Sequence, residues 1–110
     1  MDTIPFSDFA KIDLRACTIL EAARQEGSDK LLHLSVDLGE EKPRAIMAGI
    51  GKEYAPEDLI GKQIIVVANL EHRSLMGVES EGMLLAAHGK KGEPVLAKPS
   101  KKVLPGSKLS

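Results

Sequence analysis

Aromatic residues are nearly absent from this chain: 110 residues contain two phenylalanines, one tyrosine and no tryptophan. None of the three (Phe6, Phe9, Tyr54) falls in a run that reads as a strand, so no sheet face can present a row of stacked rings. Cysteine is as scarce. Cys17 stands alone, which excludes an intrachain disulfide framework and a thiolate metal cluster. No apolar run approaches the roughly 18 to 20 residues that span a bilayer. The N-terminal Met1-Asp2-Thr3-Ile4-Pro5 has neither the basic flank nor the apolar stretch of a secretory signal. A reduced, cytoplasmic protein without membrane association is the expectation. Charge of one sign is also missing, with fifteen basic and sixteen acidic side chains giving a net charge of −1. A nucleic-acid binder is usually basic overall, so any such role must rest on local placement of charge.

That placement is uneven. Glu81 to Ser110 holds six lysines and two acids, a local +4, while the preceding residues hold nine bases and fourteen acids, a local −5. The same lysines also fit a solvated tail. The hydrophobic fraction of 43% is that of a globular protein, and 110 residues suit a single domain.

Hydrophobic periodicity divides the chain into short strands. Pro5 to Lys11 reads as a short turn of helix, capped by Ser7 or Asp8, with Phe6 and Phe9 on one face. A first strand runs from about Asp13 to Ala23, with Leu14, Ala16, Thr18 and Leu20 sharing a side. Gly27-Ser28-Asp29 supplies turn chemistry. The second strand has the clearest alternation, Leu32, Leu34, Val36 and Leu38 against His33, Ser35 and Asp37. Arg44 to Ile50 follows as a third. Tyr54 to Gly61 then reads as a short helical segment of about one and a half turns, with proline at its first helical position, acids in its first turn and a glycine stop. Gln63 to Leu70 is an apolar, β-branched run and so a buried strand. A polar stretch from Glu71 to Ser80 leads to a fifth strand over Gly82 to His88. Pro94 to Ala97 is a short extra strand, and Pro99 to Ser110 an irregular tail. Three strands, a short helix and two strands is the order of an all-β, five-stranded OB-fold Greek-key barrel. The barrel would occupy about residues 12–88 of a single domain 1–110, with a short N-terminal extension and a C-terminal one from about 89 to 110.

Catalytic chemistry is not assembled anywhere in the sequence. His33, His72 and His88 lack metal-ligand spacing, and Cys17 sits among small and apolar neighbours as a buried thiol would. Ser80-Glu81-Gly82 precedes a strand, whereas a nucleophile elbow turns from strand into helix. Gly49 and Gly51 belong to no phosphate loop. A non-enzymatic binding module that needs no cofactor and no metal is the expectation.

Three segments carry a specific resemblance. Phe9-Ala10-Lys11-Ile12-Asp13-Leu14-Arg15 is followed by Ser28-Asp29-Lys30-Leu31-Leu32 and Val36-Asp37-Leu38-Gly39. Next come Arg44-Ala45-Ile46-Met47-Ala48-Gly49-Ile50 and the Tyr54 to Lys62 helix region. Last is Ala68-Asn69-Leu70 with Leu75-Met76-Gly77-Val78-Glu79-Ser80-Glu81-Gly82-Met83. In this order they resemble the tRNA-binding domain family, which includes the C-terminal domain of bacterial methionyl-tRNA synthetases and free-standing dimeric tRNA-binding proteins. The resemblance implies an OB-fold that reads the outer corner of folded tRNA by shape, with little sequence selectivity. It also implies a homodimer formed by the Phe6 to Lys11 segment and the chain after Ala87. The expected partner proteins are a second copy and the methionyl-tRNA synthetase catalytic domain.

By position in the family pattern, Lys30 and Arg44 are implied to meet phosphate, and Arg73 to add charge from the loop before the last strand. Asn69 and Ser80 are implied to hydrogen-bond RNA, Gly82 to permit close backbone approach and Met83 to pack against a base or sugar. Each also has a plain structural reading: surface charge, turn residue, bulge or core. Two departures bear on affinity. Ala48 stands where the family commonly has serine, and Glu71-His72 replaces a frequent basic-proline pair. A second branch resembling the family is secretion-associated and chaperone-like, so a dimeric peptide-binding protein is the alternative.

Overall fold

The computed structural model describes Met1 to Ser110. Its main sheet joins six strands, β1 (Leu14–Arg24), β2 (Leu32–Asp37), β3 (Arg44–Ala48), β4 (Gln63–Val67), β7 (Met83–Leu84) and β10 (Lys108–Leu109). The order is β3-β2-β1-β4-β7, with β10 added to β1, and all pairings are antiparallel. Strand β1 organises the barrel. Residues Leu14 to Thr18 pair with β4, and Thr18 to Arg24 pair with β2. The register shifts between Ile19 and Glu21, a bulge that bends the strand so that its two halves serve two sheet directions.

The expected face of β1 is not the core face, already before that bulge. The series Leu14, Ala16, Thr18, Leu20 does not point inward as a set, for Leu20 is exposed and the core receives Cys17 and Ile19. Ala16 is buried beside the chain's C-terminal segment, with its N–H donating to Ser107 O and its C=O accepting from Gly106 N. Strand β2 alternates as expected, with Leu32, Leu34 and Val36 fully buried.

The helix in the third gap, α2 (Pro56–Leu59), starts with proline at its first turn and plugs one end of the barrel with Leu59. The N-terminal helix, α1 (Phe6–Phe9), is capped by Pro5 with no side-chain bond, because Ser7 and Asp8 lie inside the helix. Its rings do share a face, with centroids 6.0 Å apart.

Three corrections concern the second half. The polar stretch expected to be loop holds a β-hairpin, β5 (Arg73–Leu75) and β6 (Val78–Ser80). The single fifth strand is divided into β7 and β8 (Ala86–His88), and β8 leaves the barrel to pair with β9 (Pro94–Leu96). The final segment is not wholly irregular, since β10 pairs with the start of β1. The barrel is nearly closed where β3 meets the residues after β6. There, Glu81 N donates to Ala45 O (2.8 Å), and Ala45 N donates to the Glu81 side chain (3.0 Å).

Candidate functional site

The hairpin lies along β3, and its construction explains the shape of that face. Met76 and Gly77 form its two-residue loop, both with positive φ (51° and 80°), the pattern of a type I′ turn. Methionine in such a position is unusual, because a side chain is disfavoured at positive φ. Its Cε reaches across to the turn joining β1 to β2, where a Cβ on Gly27 would sit 3.2 Å away. The hairpin tip therefore touches the turn that carries Lys30, while the hairpin base begins just past Asn69.

Five of the seven residues singled out from the sequence are bound up in the protein's own structure. Ser80 is the one buried polar side chain, accepting from Met47 N and donating to Gly82 O, each at 3.0 Å. These bonds fasten the hairpin to β3. Asn69 accepts from Asp13 N (2.9 Å) and donates to Lys11 O (2.6 Å), so it ties the α1–β1 junction to the end of β4. Gly82 has φ of 142°, and a Cβ there would lie 2.9 Å from Val67 O. The close approach that this glycine allows is thus to β4. Met83 is half-buried against the core beside Val67.

Arg44 is the most heavily bonded of the seven. Its guanidinium donates to Ala68 O (2.6 Å) and Glu81 O (3.2 Å), and forms a two-pronged pair with Glu40 at 2.8 and 2.7 Å. It spans the barrel seam from β3 to the ends of β4 and β6. The pair with Arg44 holds the Glu40 carboxyl below its usual range, and Arg15 does the same for Asp13 through bonds of 2.7 and 3.2 Å. These four side chains line a cleft of about 240 Å³ in which the two cations face two carboxylates. An anion gains little in such a cleft because its cations are already paired.

Lys30 and Arg73 remain. Both are exposed and neither takes part in an ion pair. Lys30 sits where the β1–β2 turn meets Gly51, whose N–H donates to Lys30 O. Arg73 faces Ser80 across the hairpin. In the same hairpin region His72 Nδ1 lies 3.4 Å from the Glu79 carboxylate. Sequence reasoning missed the hairpin and thereby the role of Met76. The signal present was Met-Gly between short β-prone runs, which lacks the asparagine or aspartate that marks most such turns.

No cluster of three or more His, Cys, Asp or Glu side chains is placed to hold a metal ion. Cys17 is wholly buried, and burial, aided by the nearby Asp37, pushes its thiol up to about 12. No helix is long and apolar enough to cross a membrane.

Fold and surface together define a small OB-type barrel with a hairpin-bounded face. Its residues 14–108 match the family described as "Putative tRNA binding domain", and the chain belongs to that family. The chain is 57% identical over 103 residues, 94% of its length, to part of the methionine–tRNA ligase of Methanothrix thermoacetophila. It is 50% identical over 110 residues to part of the corresponding ligase of Thermotoga maritima. It spans only 15% and 17% of those two proteins. Among solved structures, the MetRS related protein from Pyrococcus horikoshii superposes with a TM-score of 0.92 at 32% identity, covering all of both chains. The chaperone CsaA from Bacillus anthracis superposes with a TM-score of 0.89 at 34% identity, covering 99% of this chain and all of that one.

Proposed function

We propose that this chain binds the folded body of tRNA through its hairpin face, reading shape more than sequence, beside or attached to a methionine–tRNA ligase. Family membership supports tRNA as the ligand, and the relatives support the ligase context. The observation that carries shape reading is the absence of any aromatic residue on a barrel strand. A barrel that grips single strands stacks bases on aromatic platforms. The one ring beside the barrel, Tyr54, is packed against the core and its hydroxyl accepts from Leu96 N. Contact with phosphates, sugars and 2′-hydroxyls is what remains, and a folded RNA supplies all three in fixed geometry.

In this reading Lys30 and Arg73 take phosphates. Arg44, Asn69, Ser80 and Gly82 hold the face in shape and present its backbone, and Met83 offers an apolar edge to a sugar or base. A module of this kind raises the local tRNA concentration at a catalytic domain without chemistry of its own. The protein acts as a homodimer in which α1, whose Phe6 is 77% exposed, covers apolar surface on its partner. Light scattering at tens of micromolar tests the dimer.

Competition binding tests the ligand. Whole tRNA should displace labelled tRNA far better than an unstructured oligonucleotide of equal length, and anticodon identity should matter little. Equal competition by the unstructured strand refutes shape reading. The likeness to the chaperone CsaA favours one other reading, a peptide-binding dimer. A preference for unfolded polypeptide over tRNA in the same competition would support it.

A further inference from the structure

Three of the six lysines between Glu81 and Ser110 are not spread over a solvated tail. Lys98, Lys101 and Lys102 converge with Lys62, which follows α2, around a groove of about 500 Å³. The groove lies between α2 and the segment after β9. No residue of α1 and no residue of the hairpin lines it. Its floor is apolar, formed by Tyr54, Val95 and Leu96 among others, and no carboxylate lines it. All four lysines are exposed and none is in an ion pair. The cations of the smaller cleft, Arg15 and Arg44, are by contrast already paired with Asp13 and Glu40.

The rim is fixed in place. Gln63 of β4 donates from Nε2 to Val103 O (2.7 Å) and to Thr18 Oγ1 (3.1 Å), and its Oε1 accepts from Val103 N (3.0 Å). This reciprocal pair works like one rung of a β-ladder and pins the backbone immediately after Lys101-Lys102. A polar side chain on a buried strand thus holds a run of irregular chain against the barrel. Ordering the lysine-bearing segment beforehand lowers what a ligand must spend in ordering it.

Resting on the tRNA reading above, we propose that this groove is a second RNA-contact surface, separate from the hairpin face. The lysines meet two or three consecutive phosphates, and the apolar floor takes the ribose or base between them. Lysine ammonium groups are point charges on flexible stems and suit a backbone whose phosphates need no fixed fork geometry. A volume of about 500 Å³ lies within the roughly 300–1,000 Å³ typical of clefts that enclose a small molecule, enough for one unstacked nucleotide. An acidic peptide shares the charge, but the family's ligand favours RNA as the polyanion.

The test uses whole tRNA, titrated at several salt concentrations against the wild-type chain and two sets of variants. The triple variant Lys98→Ala, Lys101→Ala, Lys102→Ala removes exposed side chains and should leave the fold unchanged. Because these lysines lie in the chain after Ala87, light scattering is read beside the titration, and binding lost together with a reduced mass overturns the groove as an RNA contact. Losing two or three phosphate contacts should lower the log–log salt slope by about 1.5 to 2 and weaken binding roughly tenfold near 0.1 M salt. Replacing the same three lysines by arginine should restore most of the slope. Val95→Ser should weaken binding a few-fold with the slope intact, since it alters only the floor. Should the triple alanine variant bind like wild type while Lys30→Ala and Arg73→Ala weaken binding, the groove proposal is overturned and the tRNA reading stands. Should wild type prefer no tRNA over the unstructured strand, the tRNA reading itself fails. A glutamate-rich peptide serves as the remaining probe. If it binds the wild type but not the triple variant, and tRNA binding is the same in both, the occupant is protein and the proposal is overturned.

Discussion

Arg44→Ala separates a residue that touches RNA from one that builds the surface RNA would touch. The guanidinium closes the barrel seam, reaching Ala68 O on one side and Glu81 O on the other, and its side chain is only 20% exposed. Alanine leaves both carbonyls without that donor, and each bond to a charged group contributes about 1.5 kcal/mol at the low end of its range. The Glu40 pair is largely solvated and adds little. A total near 3 kcal/mol follows, and for a domain of this size it lowers the melting temperature by about 10–15 °C. Calorimetry or thermal circular dichroism measures it.

The pH dependence provides an internal check on the same variant. Glu40 has its pKa held down by Arg44, so its share of stability is present above the unfolded carboxylate range and lost as pH falls through the folded value. The gap between wild type and Arg44→Ala should therefore narrow on acidification below about pH 4. Arg44→Lys keeps the charge but cannot span both carbonyls and the carboxylate, and should recover little stability. Suppose instead that Arg44→Ala melts within about 1 kcal/mol of wild type while tRNA binding loses one contact's worth of salt slope. The guanidinium would then serve phosphate, and the account of the seam would be wrong.

Other perturbations follow from the same geometry. Gly82→Ala places a methyl group 2.9 Å from Val67 O at a φ that side chains rarely adopt, and should cost about 2 kcal/mol in denaturant melts; an unchanged midpoint would mean that β7 shifts freely. Ser80→Ala strands the buried Met47 N–H, so amide exchange at Met47 should accelerate by one to two orders of magnitude, at a cost of about 1–3 kcal/mol. Cys17, with its thiol pushed up to about 12, should resist iodoacetamide at pH 8 in the native protein and react on unfolding; rapid native labelling would refute its burial. Glu71→Lys, on the exposed approach to the hairpin, should tighten tRNA binding and steepen its salt dependence.

Local pattern carried much of the fold. The alternation of Leu32, Leu34 and Val36, the β-branched run at Ile64 to Val67 and the proline-led turn before Leu59 depend on a few neighbouring residues each. They place β2, β4 and α2 where the barrel has them. The Asn69 and Ser80–Met83 segments likewise sufficed to point to the family to which the chain belongs. Charge counting found the basic segment from Glu81 to Ser110 but not its arrangement.

What only the tertiary structure decided involves partners far apart in sequence. The buried face of β1 is that of Cys17 and Ile19, because one strand must pair with β2 and β4 at once. The hairpin at Arg73–Ser80 is stabilised by Ser80 bonding to Met47, 33 residues away, and no local propensity encodes that. Arg44 reads in the sequence as a free cation and becomes a seam clamp only when Glu40, Ala68 and Glu81 surround it. Conversely, Lys101 and Lys102 read as solvated tail and become the rim of a groove only because Gln63 holds Val103 from 40 residues away. Sequence fixes which charges exist and which short segments are extended or helical, since those preferences act over a few residues. Whether a given cation is spent inside the protein or left to meet a ligand depends on long-range hydrogen bonds, and those exist only once the barrel has closed.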